Sequence, residues 1–319
     1  MILAPVLAAA AFTGTTLVTD RTERQLVNAW GLAATPTGPW WVANEARNSS
    51  TLYAGNGRRQ SLTVDVACGP TGIAAYTGRG FVVRSGRASG PARFVYACED
   101  GTIRAWSPTV PGGWSHTAVV AVDDGLRGAV FKGVAFADDR LYVADFHGDR
   151  VLVFDSKWRR VRLRFHDPTI PSWFQPFNVL AAGGHLFVSY ASPAPVNGND
   201  APSGGYVDEY TLGGKLLTRI RGRLNEPWGL ALAPRGFGPY GGDLIVANFG
   251  TGRIDAYRNG RYHGRVATVQ GVWGIAFGNG GLAGPRTSLF FAAGPHRWLG
   301  SSEVDVHGAF GYVRPSASG

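Results

Sequence analysis

Oxygen-bearing and basic side chains recur at two points of a repeating pattern in this chain. One group stands just before short "G-[LIV]-A" segments: Asn28, Lys132, Gln175, Asn178, Asn225 and Glu226. The other follows apolar runs such as WWVAN and LYVAD: Asn44, Glu45, Glu99, Asp100, Asp145, His147 and Asn248. Carboxylates and amides in such numbers suit a hard cation, because Ca²⁺ takes six to eight oxygen ligands. On that reading Glu45, Asp145, Asn178 and Asn248 hold one divalent cation, with Ca²⁺ the best fit. His147 or Glu226 is then the proton acceptor, and Asn28, Glu99, Lys132, Gln175 and Asn225 contact a ligand. The competing reading is local. Asp or Asn at the end of a strand often bonds the backbone of the following turn, and a lone histidine on a turn is often solvated.

Other chemistries find less support. The remaining histidines (His116, His166, His185, His263, His296 and His307) follow no common spacing and form no H-x-x-x-H pair, which argues against a three-histidine zinc site. Neither a G-x-S-x-G elbow nor a phosphate-binding loop is present. Trp30-Gly31, Trp228-Gly229 and Trp273-Gly274 either line a mouth for a sugar or ring, or are core residues wedged between repeated units.

The positions of these residues are set by six repeated units. Gly31, Gly72, Gly133, Asn178, Gly229 and Gly274 are equivalent and lie 41, 61, 45, 51 and 45 residues apart. Each unit holds an inner strand with a small residue, a second strand (WWVAN, FVYAC, LYVAD, LFVSY, LIVAN, LFFAA) and, after a Gly/Asn/Asp turn, a third strand such as RVLVFD. Units of 40–50 residues with three or four strands are β-propeller blades. The expected fold is therefore all-β, a six-bladed β-propeller spanning residues 15–319. The sixth unit is short of strand sequence, and TTLVTD (Thr15–Asp20) is expected to supply its outer strand and close the ring.

In this architecture the starts of inner strands and the ends of second strands gather on one face around the channel. Cys68 precedes the second inner strand and Cys98 ends its antiparallel neighbour. The two are expected to form a disulfide, with a pair of buried thiols as the alternative. The segment Ala191–Gly205 follows a second strand, so it is either a lid over the channel mouth or a plain surface loop.

The blades resemble NHL-repeat propellers, in Pro227, Gly229, Ala231, Ala247, Asn248, Arg253 and Ile254, and again in Gly133, Ala135, Ala144, Asp145, Arg150 and Val151. More closely, from Leu17 onward the chain resembles an uncharacterised family of secreted bacterial and fungal propellers. LVNAWGLA, EDGTI, VFKGVAFA, LYVADFH, QPFNV, EPWGLALAP, ANFGTGRI and WGIAFGNGG carry that likeness. Many bacterial members end in a PEP-CTERM sorting signal, whereas this sequence ends in RPSASG. The resemblance implies export but no particular activity. Six-bladed enzymes of the regucalcin and gluconolactonase kind supply the analogy for a metal-dependent hydrolase or lyase.

Residues 1–14, apolar and then Ala-rich, read as a signal peptide without its basic start, or as a disordered or packed N-terminus. With no 18-residue apolar run, no transmembrane helix is expected. The net charge of +9 comes from 28 Arg and 3 Lys against 22 acidic residues. No five basic residues are consecutive, and Lys157, Arg159, Arg160, Arg162 and Arg164 look like one face of a strand, so nucleic acid is not the expected partner. The expectation is a monomeric, extracytoplasmic binding or scaffold protein that presents its channel face to a small molecule, glycan or protein. A divalent-metal-dependent hydrolase or lyase is the alternative.

Overall fold

The computed structural model describes residues 12–192, 204–295, 297–299, 302–304 and 307–316, and most of the segment 191–205, expected to be either a lid or a plain surface loop, lies outside that set. Six four-stranded antiparallel sheets surround a common axis, as the repeats predict. Their innermost strands are Ala29–Ala33, Pro70–Ala75, Phe131–Ala137, Gln175–Ala182, Pro227–Leu232 and Val272–Phe277, which open blades 1 to 6 in turn. The long spacing of blade 2 is a hairpin, Val82–Ser85 with Ala88–Pro91, inserted before its second strand. Among the described residues no helix is long and apolar enough to cross a membrane.

The ring closes where the chain's two ends meet. Phe12–Thr19 pairs with Ala309–Pro315 as the outermost strand of blade 6. The closing strand starts three residues before Thr15, so Phe12, Thr13 and Gly14 belong to the propeller rather than to the leader-like segment. Residues 1–11 of that segment lie outside the described residues.

Six apolar clusters fill the six gaps between neighbouring blades. The second strands explain why. Trp40–Asn44, Phe94–Cys98, Leu244–Asn248 and Leu289–Ala293 are buried at every position, because both faces of each sheet pack on a neighbour. A seventh cluster lies on the axis: Trp30, Phe146, Phe177, Ala191, Trp228 and Trp273.

The inner strands approach one another too closely for side chains. A Cβ on Gly229 would lie 2.3 Å from the Trp273 carbonyl oxygen, and one on Gly274 would lie 2.4 Å from that of Trp30. Blade 4 has Asn178 at this position, and there the side-chain amide bonds the next blade, Nδ2 donating to the Trp228 carbonyl at 2.6 Å.

Blade 3 departs from the pattern. Its fourth strand is only Arg160–Val161, whereas that of blade 5 runs over Arg261–Thr268. The chain is drawn away toward blade 4. Phe165 packs between Tyr142 and Tyr210, with ring centroids 5.9 and 5.6 Å away. Asp167 then ion-pairs with Arg219, which also binds Asp208 at 3.0 Å. The basic cluster is therefore not one face of a strand. Arg159 binds Asp155 and Arg160 binds Asp124, while Arg162 and Arg164 lie exposed on irregular chain.

Two outcomes are expected. Gly229→Ala lowers stability by about 1–3 kcal/mol, the usual cost of forcing extra atoms into a packed site, as read by denaturant unfolding. Asp208 sets a pH dependence. Burial pushes its carboxyl up to about 6, against the bonds from Arg219 and Tyr210. The folded state therefore holds this proton more tightly than the unfolded chain. Its contribution is most favourable below the unfolded value near 4 and is lost as pH rises toward 6. Thermal midpoints of Asp208→Asn should fall less than wild type between pH 4 and 6, and an unchanged slope would remove Asp208 as the cause.

Candidate functional site

A β-bulge interrupts every inner strand at the same repeat position, between Ala29 and Leu32, Pro70 and Ile73, Phe131 and Gly133, Pro176 and Asn178, Pro227 and Gly229, and Val272 and Ile275. Bulges re-aim side chains. Here the residue in the bulge is Trp30, Thr71, Lys132, Phe177, Trp228 or Trp273. A second tier comes from the residue that follows the second strand's pairing, namely Glu45, Glu99, Phe146, Phe249 and Gly294, and in blade 4 from Ala191, which still pairs with Gln175. These two rings of six form the axial site.

Their rings stack across the axis. Phe249 lies on Trp273 at 3.6 Å and Trp273 on Trp30 at 3.7 Å, both nearly parallel. Trp228 meets Trp30 edge-on at 5.5 Å. The Lys132 ammonium is 4.8 Å from the Trp30 ring centroid and 5.8 Å from that of Phe146. With one face of Trp30 covered by Trp273, the cation takes the other, a favourable cation–π arrangement. Lys132 is 1% exposed and ion-paired with Glu99. The tryptophans thus pack on one another at the axis rather than as wedges between blades. The indole N–H groups of Trp30 and Trp228 are buried there without an acceptor among the described residues.

The polar side of the site lies over blades 1 to 3. Asn28 is buried in a left-handed conformation (φ 45°), accepts the Trp273 indole N–H at 3.1 Å and donates to Glu45 at 2.8 Å. A Cβ on Gly69 would lie 3.4 Å from a Glu45 oxygen and 3.5 Å from a Glu99 oxygen, so the two carboxylates flank this glycine. Cys68 and Cys98 form a disulfide with Cα atoms 5.4 Å apart. It staples the neighbours Gly69 and Glu99, whose backbones also bond at 3.2 Å. The arrangement is one half aromatic and one half charged: Glu45, Glu99, Lys132 and Asn28 face one edge of an aromatic floor.

The cation reading fares differently. Asp145 accepts the Gly148 N–H at 3.0 Å on one oxygen and the Arg150 Nε at 3.0 Å on the other. Asn248 Oδ1 accepts the Asn225 N–H at 2.9 Å, and Asn178 Oδ1 accepts the Val179 N–H at 2.8 Å. Three of the four proposed ligands, Asp145, Asn178 and Asn248, thus each accept an N–H of the protein itself. Among the described residues one set of three His, Cys, Asp or Glu side chains brings donor atoms within 4.8 Å, namely Cys68, Cys98 and Asp100. Its sulfurs are bonded to each other.

The remaining candidates are scattered. His147 is exposed, with its ring over Gly128, while Asp145 turns its carboxylate to the backbone and Arg150. Glu226 is buried in a left-handed turn (φ 49°), its carbonyl accepting the Phe249 N–H at 3.0 Å. Gln175 is half-buried at the start of the blade 4 inner strand, opposite Ala191. Asn225 is tied through its N–H to Asn248. Sequence reasoning missed Phe146, Phe177 and Phe249. The signal that finds them is register, since they align with Glu45, Glu99 and Lys132 once the repeats are superposed.

Fold and site define a six-bladed propeller whose axis is closed by aromatic residues, and solved propellers superpose on it. A virginiamycin B lyase from Staphylococcus aureus superposes with a TM-score of 0.54 at 10% identity, covering 95% of this chain and 99% of the other. A putative oxidoreductase (glucose dehydrogenase) from Thermus thermophilus gives 0.54 at 14% identity, covering 95% and 100%. Likeness at these identities shows the fold. No family model matches the chain. An uncharacterized protein of Acanthamoeba polyphaga mimivirus is 34% identical over 296 residues, an alignment covering 85% of this chain and 72% of the viral protein. The chain belongs to the family that includes this viral protein.

The site predicts an asymmetry between the partners of its buried ion pair. Lys132→Met should cost at most about 1 kcal/mol, because an apolar chain of similar length fits Trp30 and Phe146 and replacing buried charge by apolar packing is often neutral. Glu99→Gln should cost about 3 kcal/mol, since it strips a carboxylate from a buried ammonium. Equal costs in denaturant unfolding would contradict this picture.

Proposed function

We propose that this protein is an exported binding propeller that takes a ring-bearing small molecule or a glycan at its channel mouth. The observation that carries the proposal is the division of the axial site. Hydroxyl groups find acceptors in the half-buried Glu45 and Glu99, while a flat apolar ring face matches the half-buried Phe249, which lies on the stacked Trp273 and Trp30. Binding sites of this kind join a mostly apolar lining to a few placed polar groups. Export is supported by the Cys68–Cys98 disulfide, a bond that persists in oxidising compartments, and by the apolar start of the chain.

Binding is favoured over metal-dependent hydrolysis or elimination because Asp145, Asn178 and Asn248 are engaged with the protein's own backbone. The decisive experiment titrates a panel of methyl glycosides and polyhydroxylated aromatic compounds into purified protein, following tryptophan fluorescence and heat. At least one ligand should bind saturably, and Glu45→Gln with Glu99→Gln should weaken it tenfold or more. Binding that ignores both substitutions would refute the mouth as the site. A stoichiometric divalent ion that leaves on Asp145→Ala would favour the hydrolase or lyase instead.

A further inference from the structure

The outer strand of blade 3 is truncated, which leaves part of its third strand without an outward partner. The third strand, Arg150–Asp155, pairs outward with Val161 and Arg160 only through Val153 and Phe154. The Asp155 N–H reaches the Arg159 carbonyl at 2.9 Å. Peptide groups alternate in direction along a strand, so Val153 and Val151 also present theirs outward. Pairing stops at Val153, and Val151 lies beyond it. A cavity of about 730 Å³ occupies this place, bounded on one side by residues 149–153 and on the other by residues 160–166. Its far wall is fixed rather than loose, because Phe165 and Asp167 anchor it to blade 4.

The walls are basic. Arg150 and Arg160 are ion-paired with Asp145 and Asp124, whereas the exposed Arg162 and Arg164 have no such partner among the described residues. Asp149 and His166 line opposite walls of the cavity, and partial desolvation raises the Asp149 carboxyl despite the nearby His166. Unpaired sheet edges recruit strands, and a row of arginines selects the charge of the recruit.

We propose that the open edge of blade 3 binds an extended, acidic segment of a partner polypeptide, which adds as the missing outer strand. Backbone bonds to Val151, the outward-facing peptide beyond the Val153–Val161 pair, set its register, and Arg162 and Arg164 take alternate carboxylates on its solvent face. This site is separate from the axial one, so it stands whether or not a small molecule binds at the mouth.

The probe is a fluorescein-labelled peptide of alternating glutamate and valine, seven residues long, measured by anisotropy against the full chain. Saturable one-to-one binding is expected, at least tenfold weaker for the Arg162→Glu, Arg164→Glu double variant and for a peptide N-methylated at every second residue. Both arginines are exposed, so the variant should keep the wild-type thermal midpoint. Hydrogen exchange adds an independent reading: the Val151 amide should gain protection with the peptide bound. Equal affinity of the N-methylated peptide would overturn strand addition in favour of charge alone. So would binding of heparin or single-stranded RNA that the peptide cannot displace, and failure of the plain peptide to bind would overturn the proposal outright.

Discussion

Six inner strands must run side by side around an axis too narrow for side chains on every residue, and much of the structure follows from that crowding. Gly31, Gly72, Gly133, Gly229 and Gly274 let one backbone touch the next, and Asn178 replaces contact with an amide bond. The same crowding breaks each inner strand with a bulge beside the small residue. The bulges turn Trp30, Lys132, Phe177, Trp228 and Trp273 onto the axis, while Thr71 bonds the carbonyls of Ala97 and Phe131. A packing constraint thereby creates the site: residues that would fill gaps between blades become one ring around a common point. Because that ring is built from all six blades, its geometry depends on closure by the N-terminal strand, far away in space.

Filling the axis raises a second problem, the burial of polar groups. Lys132 is the one bulge residue with a charge, and it is nearly inaccessible. A buried ammonium needs a carboxylate and a polarisable neighbour. Glu99 supplies the first, Trp30 and Phe146 the second. The disulfide fixes the segment that carries Glu99, so a covalent bond on the rim helps hold an ion pair on the axis. In the two rings charge is confined to blades 1 to 3, while the aromatic residues come from blade 1 and blades 3 to 6, and a ligand meets that asymmetry rather than a uniform funnel.

The architecture was legible because a propeller writes its period into the chain. Spacing, strand alternation and the missing strand of the last unit led to six blades and to closure by the N-terminal segment. The disulfide was legible for the same reason, since antiparallel neighbours place Cys68 beside Cys98. The site was legible only in part. Asp145 and Asn248 end their strands as polar residues, and composition alone cannot say whether such oxygens face the axis or the turn. The bulge decides it. The strand-end residues cap their own hairpins, and it is the residue one place later that looks inward. That shift of one position separates Glu45 from Asn44 and Phe146 from Asp145, and it turns an expected oxygen-rich ring into a largely aromatic one.

Blade 3 shows how deviation from a repeat acquires meaning. Its outer pairing stops where the chain leaves for blade 4 and places Phe165 and Asp167 there. Phe165 buries its ring between two tyrosines, and Asp167 completes a shared ion pair on Arg219. A strand edge left open in this way invites unwanted pairing, and the usual protection is charge. Arg162 and Arg164 supply it, repelling another copy of this basic chain. The same charges do not repel an acidic strand, so protection against self-association and selection of a partner come from the same two side chains.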